Sequence, residues 1–449
     1  MEKERQSEFE LMQKEMQKAK LGGILILPLR FQNKEAIMRY FETAGIKGRG
    51  IRTPDVTATI KAMFNPANES AFLHIYDLPA RWLERRVPGD GCYYVRPRKE
   101  QMKTPDAACA FSFADAQFWL FPNVAFLCVG LYLSNAQQLD TIINPGHVES
   151  LSKYYALRNG ELEAFELEDV LLSALGEIGA SPFYMDPAKH KTLFTEAVIL
   201  ALALFGEDAK KAFKEIETLR DISFSLIKMA ALDKRIDDPA LQDTRFVYGA
   251  KDPENGTHSW GCSTGLQGIG FVRNKAGASI EEGLTEQFED TLPLALLALY
   301  QKFTCLSFAE RVTEQHNDNG KKLLALQKDM LEFKAYGTVP IASISRWGNV
   351  QEIYRQLMET NGVPDAIESI DDKLKVLSER RNERRGGFEN LLGWIVSIFG
   401  IMSMAESADI LFTAIQEGNT LKIAVLSIVV LCPALLIAGV LMQNRLKWR

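Results

Sequence analysis

The sequence predicts an α+β protein with an N-terminal cytoplasmic α/β domain, a long helical stalk and a C-terminal two-helix transmembrane hairpin. Three observations predict this fold. Short apolar runs with strand character recur over the first 135 residues or so. Segments with helical periodicity dominate after about residue 280. Two long uncharged segments follow near the C-terminal end, and the second is long enough to cross a bilayer.

Composition excludes several classes of protein before any element is assigned. Of the 449 residues, 47% are apolar and 24% charged, which is too apolar for a disordered chain. Lys plus Arg number 52 against 58 Asp plus Glu, and this lack of a basic excess argues against direct nucleic-acid binding. The six cysteines form no C-x-x-C pair, so we expect reduced thiols rather than disulfides or a zinc site.

The α/β domain is expected over residues 21–280. Residues 1–20 precede it as an exposed charged helix, which lacks the apolar h-region of a signal peptide. The expected strands are Gly22 to Phe31, Ala71 to Leu78 and Gly91 to Pro97, and two more within Ala116 to Leu133. A helical insert is predicted at 150–235, with a core helix over Thr195 to Phe205. The stretch from Tyr248 to Ser279 is predicted as loop or short strands.

The stalk is expected over residues 281–387 as three helices. The first runs from about Ile280 to Lys334 and the second from about Ile344 to Glu359. The third begins after Pro364, because proline suits the first position of a helix. Its apolar residues have heptad spacing, which favours one continuous helix into the membrane. A hinge at Gly386 and Gly387 is the alternative.

The transmembrane hairpin is expected over residues 388–442, with spans at about 388–405 and 423–442. Residues 423–442 carry no charge and, at about 1.5 Å per residue, reach across the ~30 Å hydrocarbon core. A buried core helix is the alternative. The first span is shorter and requires shielding by neighbouring copies. Basic residues flank both spans, including the tail 443–449, so the positive-inside rule places both termini in the cytoplasm of a multi-pass inner-membrane protein.

This architecture resembles the CorA superfamily of divalent-cation channels. The segment Ser397 to Ser407 is similar to the end of that family's first span, where Tyr/Phe-Gly-Met-Asn marks the outer pore mouth. Phe399 and Gly400 match this motif, whereas Ile401 and Met402 depart from it. The resemblance implies a funnel-shaped homopentamer that passes Mg²⁺ or another divalent cation. The Met402 thioether cannot supply the carboxamide oxygen that contacts a hydrated cation in the family.

Small and polar residues form a stripe along one face of the stalk and first span. The predicted pore-lining residues are Glu383, Asn390, Gly393, Ser397, Gly400 and Met404. With Gly386 between Glu383 and Asn390, the steps along this stripe alternate between three and four residues, which puts them on one helical face that could be turned toward an aqueous axis. Close packing between helices is the alternative, because small residues let backbones approach in lipid.

Charged residues flank this stripe on both sides of the membrane. The outer acidic residues are Glu406, Asp409 and Glu417, which would concentrate cations at the pore mouth or form an ordinary solvated loop. The inner basic residues are Arg380, Arg381, Arg384 and Arg385, which would bind lipid headgroups or form a positive collar. The resemblance also implies regulatory Mg²⁺ at Asp365, Asp371 and Asp372, for which a solvated surface is the alternative.

A second reading is a ligand-gated membrane effector, similar to the CorA-like proteins that accompany some CRISPR antiviral systems and respond to a nucleotide messenger. The candidate ligand contacts are Arg81, Arg85, Arg86, Arg96 and Arg98, interleaved with Trp82, Tyr93 and Tyr94. Ordinary surface arginines are the alternative. A third reading is a non-conducting anchored scaffold.

We expect no enzyme activity and no organic cofactor. Residues 261–265 satisfy G-x-S-x-G, but that motif requires a strand before it and a helix after it, whereas loop signals surround it here. Its glycines, together with Gly268 and Gly270, could still line a pocket for a small ligand.

Overall fold

The computed structural model describes most of the chain before residue 380. The described residues are 19–65, 73–87, 93–97, 110–133, 152–158, 161–183, 193, 197–206, 213–228, 245–254, 256–266, 268–275, 277–314, 320–377 and 379. The chain divides into two compact units, Met1–Ile370 and Asp371–Arg449. The predicted α+β class is confirmed, because the first unit combines a large sheet with helices.

Twelve strands of the described residues form one sheet. They are β1 (Lys20–Phe31), β2 (His74–Leu78), β3 (Tyr93–Pro97), β4 (Ala110–Leu120), β5 (Ala125–Leu133), β6 (Ser152–Arg158), β7 (Glu161–Phe165), β8 (Ala180–Pro182), β9 (Val198–Phe205), β10 (Arg245–Tyr248), β11 (Trp260–Thr264) and β12 (Gly268–Asn274). Their order is β10-β11-β12-β9-β1-β5-β4-β3-β6-β7, with β8 beside β1 and β2 beside β4. The pairing of β9 with β12 is parallel, and the other described pairings are antiparallel.

Helices cover both faces of this sheet. The described helices are α1 (Lys34–Thr43), α2 (Ala58–Met63), α3 (Arg81–Glu84), α4 (Leu167–Ile178), α5 (Ile216–Lys228), α6 (Ile280–Glu289), α7 (Thr291–Glu314), α8 (Gly320–Glu332), α9 (Ile341–Ile344) and α10 (Gly348–Thr360). Helices α1, α4 and α5 pack on one face of the sheet. Helices α6 and α7 pack on the other, where Phe303 contacts Phe126 of β5. The π-helical turn Phe333–Gly337 follows α8.

The predicted core helix over Thr195 to Phe205 is wrong, because this segment contains strand β9. All eight residues of β9 are buried. A strand that is covered on both faces has a continuous run of apolar residues. The periodicity of such a run does not distinguish it from a buried helix. Its Leu and Ala residues favour a helix locally, and pairing with β1 and β12 overrides that preference.

The predicted single helix from Ile280 to Lys334 is also wrong, because the structure has separate helices α6, α7 and α8 in this range. The break between α6 and α7 falls at Asp290, three residues before Pro293. A proline ring clashes with the carbonyl group four residues earlier, so Pro293 is tolerated only in the first turn of a new helix. The predicted second helix is confirmed as α10. Residues 363–370 are helical in the first unit, and residues 371–377 are helical in the second.

One helical segment among the described residues, Thr291–Val312 of α7, is long and apolar enough to cross a membrane by length and composition. However, 78% of its most apolar 18-residue stretch is buried inside the protein. Its Tyr300 ring stacks on Phe121 at 4.3 Å between centroids, and Phe303 contacts Phe183 at 4.8 Å. The segment is therefore a core helix of the first unit in this structure. The predicted spans at 388–405 and 423–442 and the helix at 1–18 lie outside the described residues.

Candidate functional site

A β-bulge in strand β4 opens a cleft on the face of the sheet that carries α6. The register between β4 and β5 shifts between Phe113 and Ala116, so Ala114 and Asp115 form the bulge. Bulges often re-aim a side chain beside a functional site. On the partner strand, Gly130 is required, because a Cβ atom there would lie 2.6 Å from the Asp115 carbonyl oxygen. We call this opening the bulge cleft.

The bulge cleft has a volume of about 370 Å³. It lies between the loop after α1, the end of β2, the bulge of β4 and the C-terminal end of α6. Its lining residues are Arg49, Arg52, Asp77, Leu78, Pro79, Asp115, Ala116, Gln117, Thr285, Phe288 and Glu289. Charged groups surround a short apolar surface, so the cleft is more polar than most small-molecule sites and suits a charged ligand.

One wall of the bulge cleft is a chain of hydrogen bonds. The Arg49 guanidinium donates two of them to Asp77, from Nε to Oδ2 at 2.6 Å and from Nη2 to Oδ1 at 2.7 Å. Gln117 Nε2 donates to Asp77 Oδ1 at 3.0 Å, and buried Trp119 donates to Gln117 Oε1 at 2.9 Å. Because bidentate Arg–carboxylate pairs have fixed geometry, this wall is held rigidly and its charges cancel.

Three other charged groups face the bulge cleft. Asp115 is exposed, and its Oδ1 accepts a hydrogen bond from the Ala80 backbone N–H at 3.0 Å. Arg52 and Glu289 are also exposed, and within the described part of the chain neither makes a hydrogen bond or ion pair. The cleft thus offers one guanidinium and two carboxylates to a ligand.

Asp290 stands directly after the cleft residue Glu289 and has a perturbed acidity. Burial raises the pKa of Asp290 to about 6, and the negative charge of Asp55 adds to the effect. A hydrogen bond from Thr53 Oγ1 to Asp290 Oδ1, 3.3 Å long, opposes this shift in pKa. Thr53 directly follows the cleft residue Arg52. Asp290 and its hydrogen-bond partner are therefore both next in sequence to residues that line the cleft.

Replacing Asp290 with asparagine should stabilise the protein at neutral pH. The pKa of Asp290 is about 6 in the folded state, above the ~3.9 of an unfolded aspartate. Between these two pH values the folded state binds a proton that the unfolded state has lost. The free energy of unfolding therefore falls as pH rises from about 4 to about 6. Because Asp290 is partly exposed, we expect Asp290→Asn to gain about 1 kcal/mol at pH 7.5 and almost nothing near pH 4. Thermal unfolding at both pH values measures this.

The matched control is Glu368→Gln, since Glu368 is exposed on a helix away from the cleft. It should change stability little at either pH. An equal gain from Asp290→Asn at both pH values would contradict the assignment of the pH dependence to this carboxyl group.

The predicted arginine cluster is only partly described. Arg81 and Arg85 are exposed on and after α3. The Arg86 guanidinium instead packs over the Trp82 ring, 4.4 Å from its centroid, and pairs with Glu177. Arg96 lies in β3, where its backbone faces Lys153. Arg98 lies outside the described residues.

The predicted metal and pore residues are placed as follows. Asp365 and Asp372 are exposed, and Asp371 is half-buried. The described part of the chain has no group of three or more His, Cys, Asp or Glu residues arranged to hold a metal. The residues that fall outside the described ranges are Arg380, Arg381, Glu383, Arg384, Arg385, Asn390, Gly393, Ser397, Phe399, Gly400, Ile401, Met402, Met404, Glu406, Asp409 and Glu417.

The glycines of the G-x-S-x-G region line a helix contact. Strand β11 contains buried Ser263 and is followed by a turn into β12, not by a helix. The Ser263 hydroxyl lies 2.5 Å from that of Ser223 on α5. A Cβ atom at Gly270 would overlap the Ser223 carbonyl oxygen. Gly270 therefore lets α5 approach the sheet closely. The motif itself lacks the strand-turn-helix geometry of a nucleophile elbow.

Sequence reasoning missed the bulge cleft. Arg49, Asp77, Asp115 and Glu289 come from four separate elements, with no spacing that links them. Comparison with known proteins adds no further assignment: no protein-family model, no curated protein and no solved structure matches the chain.

Proposed function

We propose that the chain is a homo-oligomeric, CorA-type cation channel of the inner membrane, with its sheet unit in the cytoplasm. The observation that carries this proposal is the pair of predicted spans at 388–405 and 423–442, in which residues 391–405 and 423–442 carry no charge. Basic residues flank the pair on both outer sides, and an acidic loop joins them.

The burial of α7 supports this assignment of the membrane spans. Its apolar surface is already packed against the sheet, and its buried Gln301 hydrogen-bonds within the protein. A lipid-facing role for α7 would expose that surface. The membrane anchor is therefore best assigned to the later segments, of which residues 423–442 have the length and lack of charge that suit a bilayer.

In the proposed channel, the first spans of several copies, five by resemblance to the family, surround a central axis. Asn390 and Ser397 would contact the permeating cation or its water shell. Glu406, Asp409 and Glu417 would attract cations at the outer mouth. Mg²⁺ or another divalent cation is the substrate that the family resemblance favours, and Asp365, Asp371 and Asp372 are candidates for its regulatory binding.

Replacing Asn390 with leucine should lower cation flux by about tenfold, because an apolar ring at the axis removes ion-contacting oxygens and favours dewetting. Flux is measured with the purified chain in liposomes, with a fluorescent cation indicator inside. Ser427→Leu in the second span is the matched control and should leave flux unchanged. If Asn390→Leu alters only the oligomeric state and not flux per oligomer, the stripe packs helices together and the proposed pathway is wrong.

A ligand-gated membrane effector is the second candidate, and the bulge cleft is the observation that favours it. Simple transport does not require a charged small-molecule site in the cytoplasmic unit. The exposed Arg81 and Arg85 remain candidates for a nucleotide messenger, whereas Arg86 is engaged by Trp82 and Glu177. Flux that occurs only after a ligand is added would support this function, and constitutive flux would contradict it.

A further inference from the structure

We propose that the bulge cleft binds a basic amino acid, a small ligand with one carboxylate and two cationic groups. This inference names a ligand class for the second candidate function. Binding of the amino acid can be tested without the channel function. Only an effect of the bound ligand on ion flux rests on that proposed function.

The charges of the bulge cleft carry the argument. Arg49 and Asp77 satisfy each other through two hydrogen bonds and contribute no free charge. Arg52, Asp115 and Glu289 remain, one cation and two anions. A ligand of complementary pattern has one anion and two cations. The α-carboxylate, α-ammonium and side-chain cation of lysine or arginine provide this pattern, with the carboxylate directed to Arg52.

The size and apolar surface of the cleft fit the same ligand. Its volume of about 370 Å³ lies near the lower end of the range for small-molecule sites. Leu78 and Phe288 are buried and line the cleft together with Pro79. Such a surface suits the methylene stem of a lysine or arginine side chain, which packs on apolar groups while its charged end stays polar.

The same charges disfavour the two obvious competitors. A nucleotide or free phosphate would meet Asp115 and Glu289, whose carboxylates repel it, with only Arg52 free to bind it. A bare divalent cation needs several oxygen ligands close together, and no group of three or more acidic or other metal-ligating residues with that arrangement occurs among the described residues.

The cleft is also held in shape before a ligand arrives. The Arg49–Asp77–Gln117–Trp119 chain fixes one wall, and the Ala80 N–H holds the Asp115 carboxylate. Because the bulge itself is set by strand pairing with β5, the position of Asp115 does not depend on a mobile loop. Preorganisation of this kind reduces the entropy that binding costs.

Isothermal titration calorimetry of the full chain in detergent micelles tests the inference. The ligands are L-lysine, L-arginine, L-leucine, putrescine and inorganic phosphate. We expect lysine or arginine to bind about tenfold more tightly than leucine, which lacks the second cation, and than putrescine, which lacks the carboxylate.

Three variants separate the contributions of the charged groups. Arg52→Ala should weaken lysine binding about tenfold without weakening putrescine binding, because only lysine carries a carboxylate for Arg52 to bind. Glu289→Gln should weaken lysine binding more than leucine binding. The control Glu368→Gln should bind as the unaltered chain does. Thermal unfolding of each variant checks that it is folded.

Equal binding of all five ligands, preferential binding of phosphate, or no heat with any ligand would overturn the inference. Binding of lysine that Arg52→Ala and Glu289→Gln leave unchanged would overturn it as well, because the ligand would then sit elsewhere. Calorimetry does not depend on conduction. A chain that binds lysine but never conducts contradicts the channel proposal alone, and one that conducts without binding lysine contradicts this inference alone.

Discussion

Replacing Gly270 with alanine should destabilise the sheet unit by about 3 kcal/mol, at the upper end of the usual cost of overpacking. A Cβ atom at this position of β12 would overlap the Ser223 carbonyl oxygen of α5. The overlapped atom belongs to a helix backbone, so a rotamer change cannot relieve the contact. Either α5 moves away from the sheet or β12 bends, and both disturb the hydrogen bond between the Ser223 and Ser263 hydroxyls.

Urea denaturation of the full chain in detergent, followed by tryptophan fluorescence, measures this effect. Gly176→Ala is the matched control, because Gly176 lies within α4 and an added Cβ atom there meets no atom within 4 Å. Alanine is the better helix former by about 1 kcal/mol, so the control should be stabilised. If both substitutions change the free energy of unfolding in the same direction, then Gly270 is not required for the close approach of α5 to β12.

Local patterns predicted the first five strands of the sheet, β1 to β5. The run from Ala116 to Leu133 contains two apolar segments around Pro122 and Asn123, and the structure has β4 and β5 paired across this turn. The predicted strand from Gly22 to Phe31 corresponds to β1. Here strand signals, turn residues and neighbours in sequence agree, so local information was sufficient.

The same reasoning failed where distant partners decide the structure. Strand β9 is rich in Leu and Ala and is a strand because β1 and β12 pair with it on either side. The parallel pairing of β9 with β12 joins segments about seventy residues apart, and no local signal reports it. Pro293 did mark a helix boundary, yet the apolar residues on both sides suggested continuity.

The bulge cleft shows a similar limit. Arg49 and Asp77 are 28 positions apart, and Glu289 comes from a helix far along the chain. One local sign existed, since Gly130 interrupts the apolar strand AFLCVGLYL. A glycine inside a strand often marks a close backbone approach or a bulge on the neighbouring strand. The predicted pore residues, in contrast, rest on local hydropathy and charge and stay predictions.

Replacing Gln301 with leucine should cost about 3 kcal/mol of stability, because it leaves buried polar groups without partners. Gln301 is fully buried in α7. Its Oε1 accepts the Val339 backbone N–H at 3.1 Å, and its Nε2 donates to the Tyr354 hydroxyl at 2.7 Å. Leucine is similar in size but offers neither group, so the Val339 N–H in the segment after the π-helical turn loses its acceptor.

The control for this prediction is Gln327→Leu on α8, since Gln327 is half-buried and has no hydrogen bond within the described part of the chain. It should change the free energy of unfolding by less than about 0.5 kcal/mol. Because Gln301 lies in the segment that is apolar enough to span a membrane, the comparison also tests where α7 resides. A stabilising Gln301→Leu would indicate that the side chain faces lipid, and α7 would then compete with residues 388–442 as the membrane anchor.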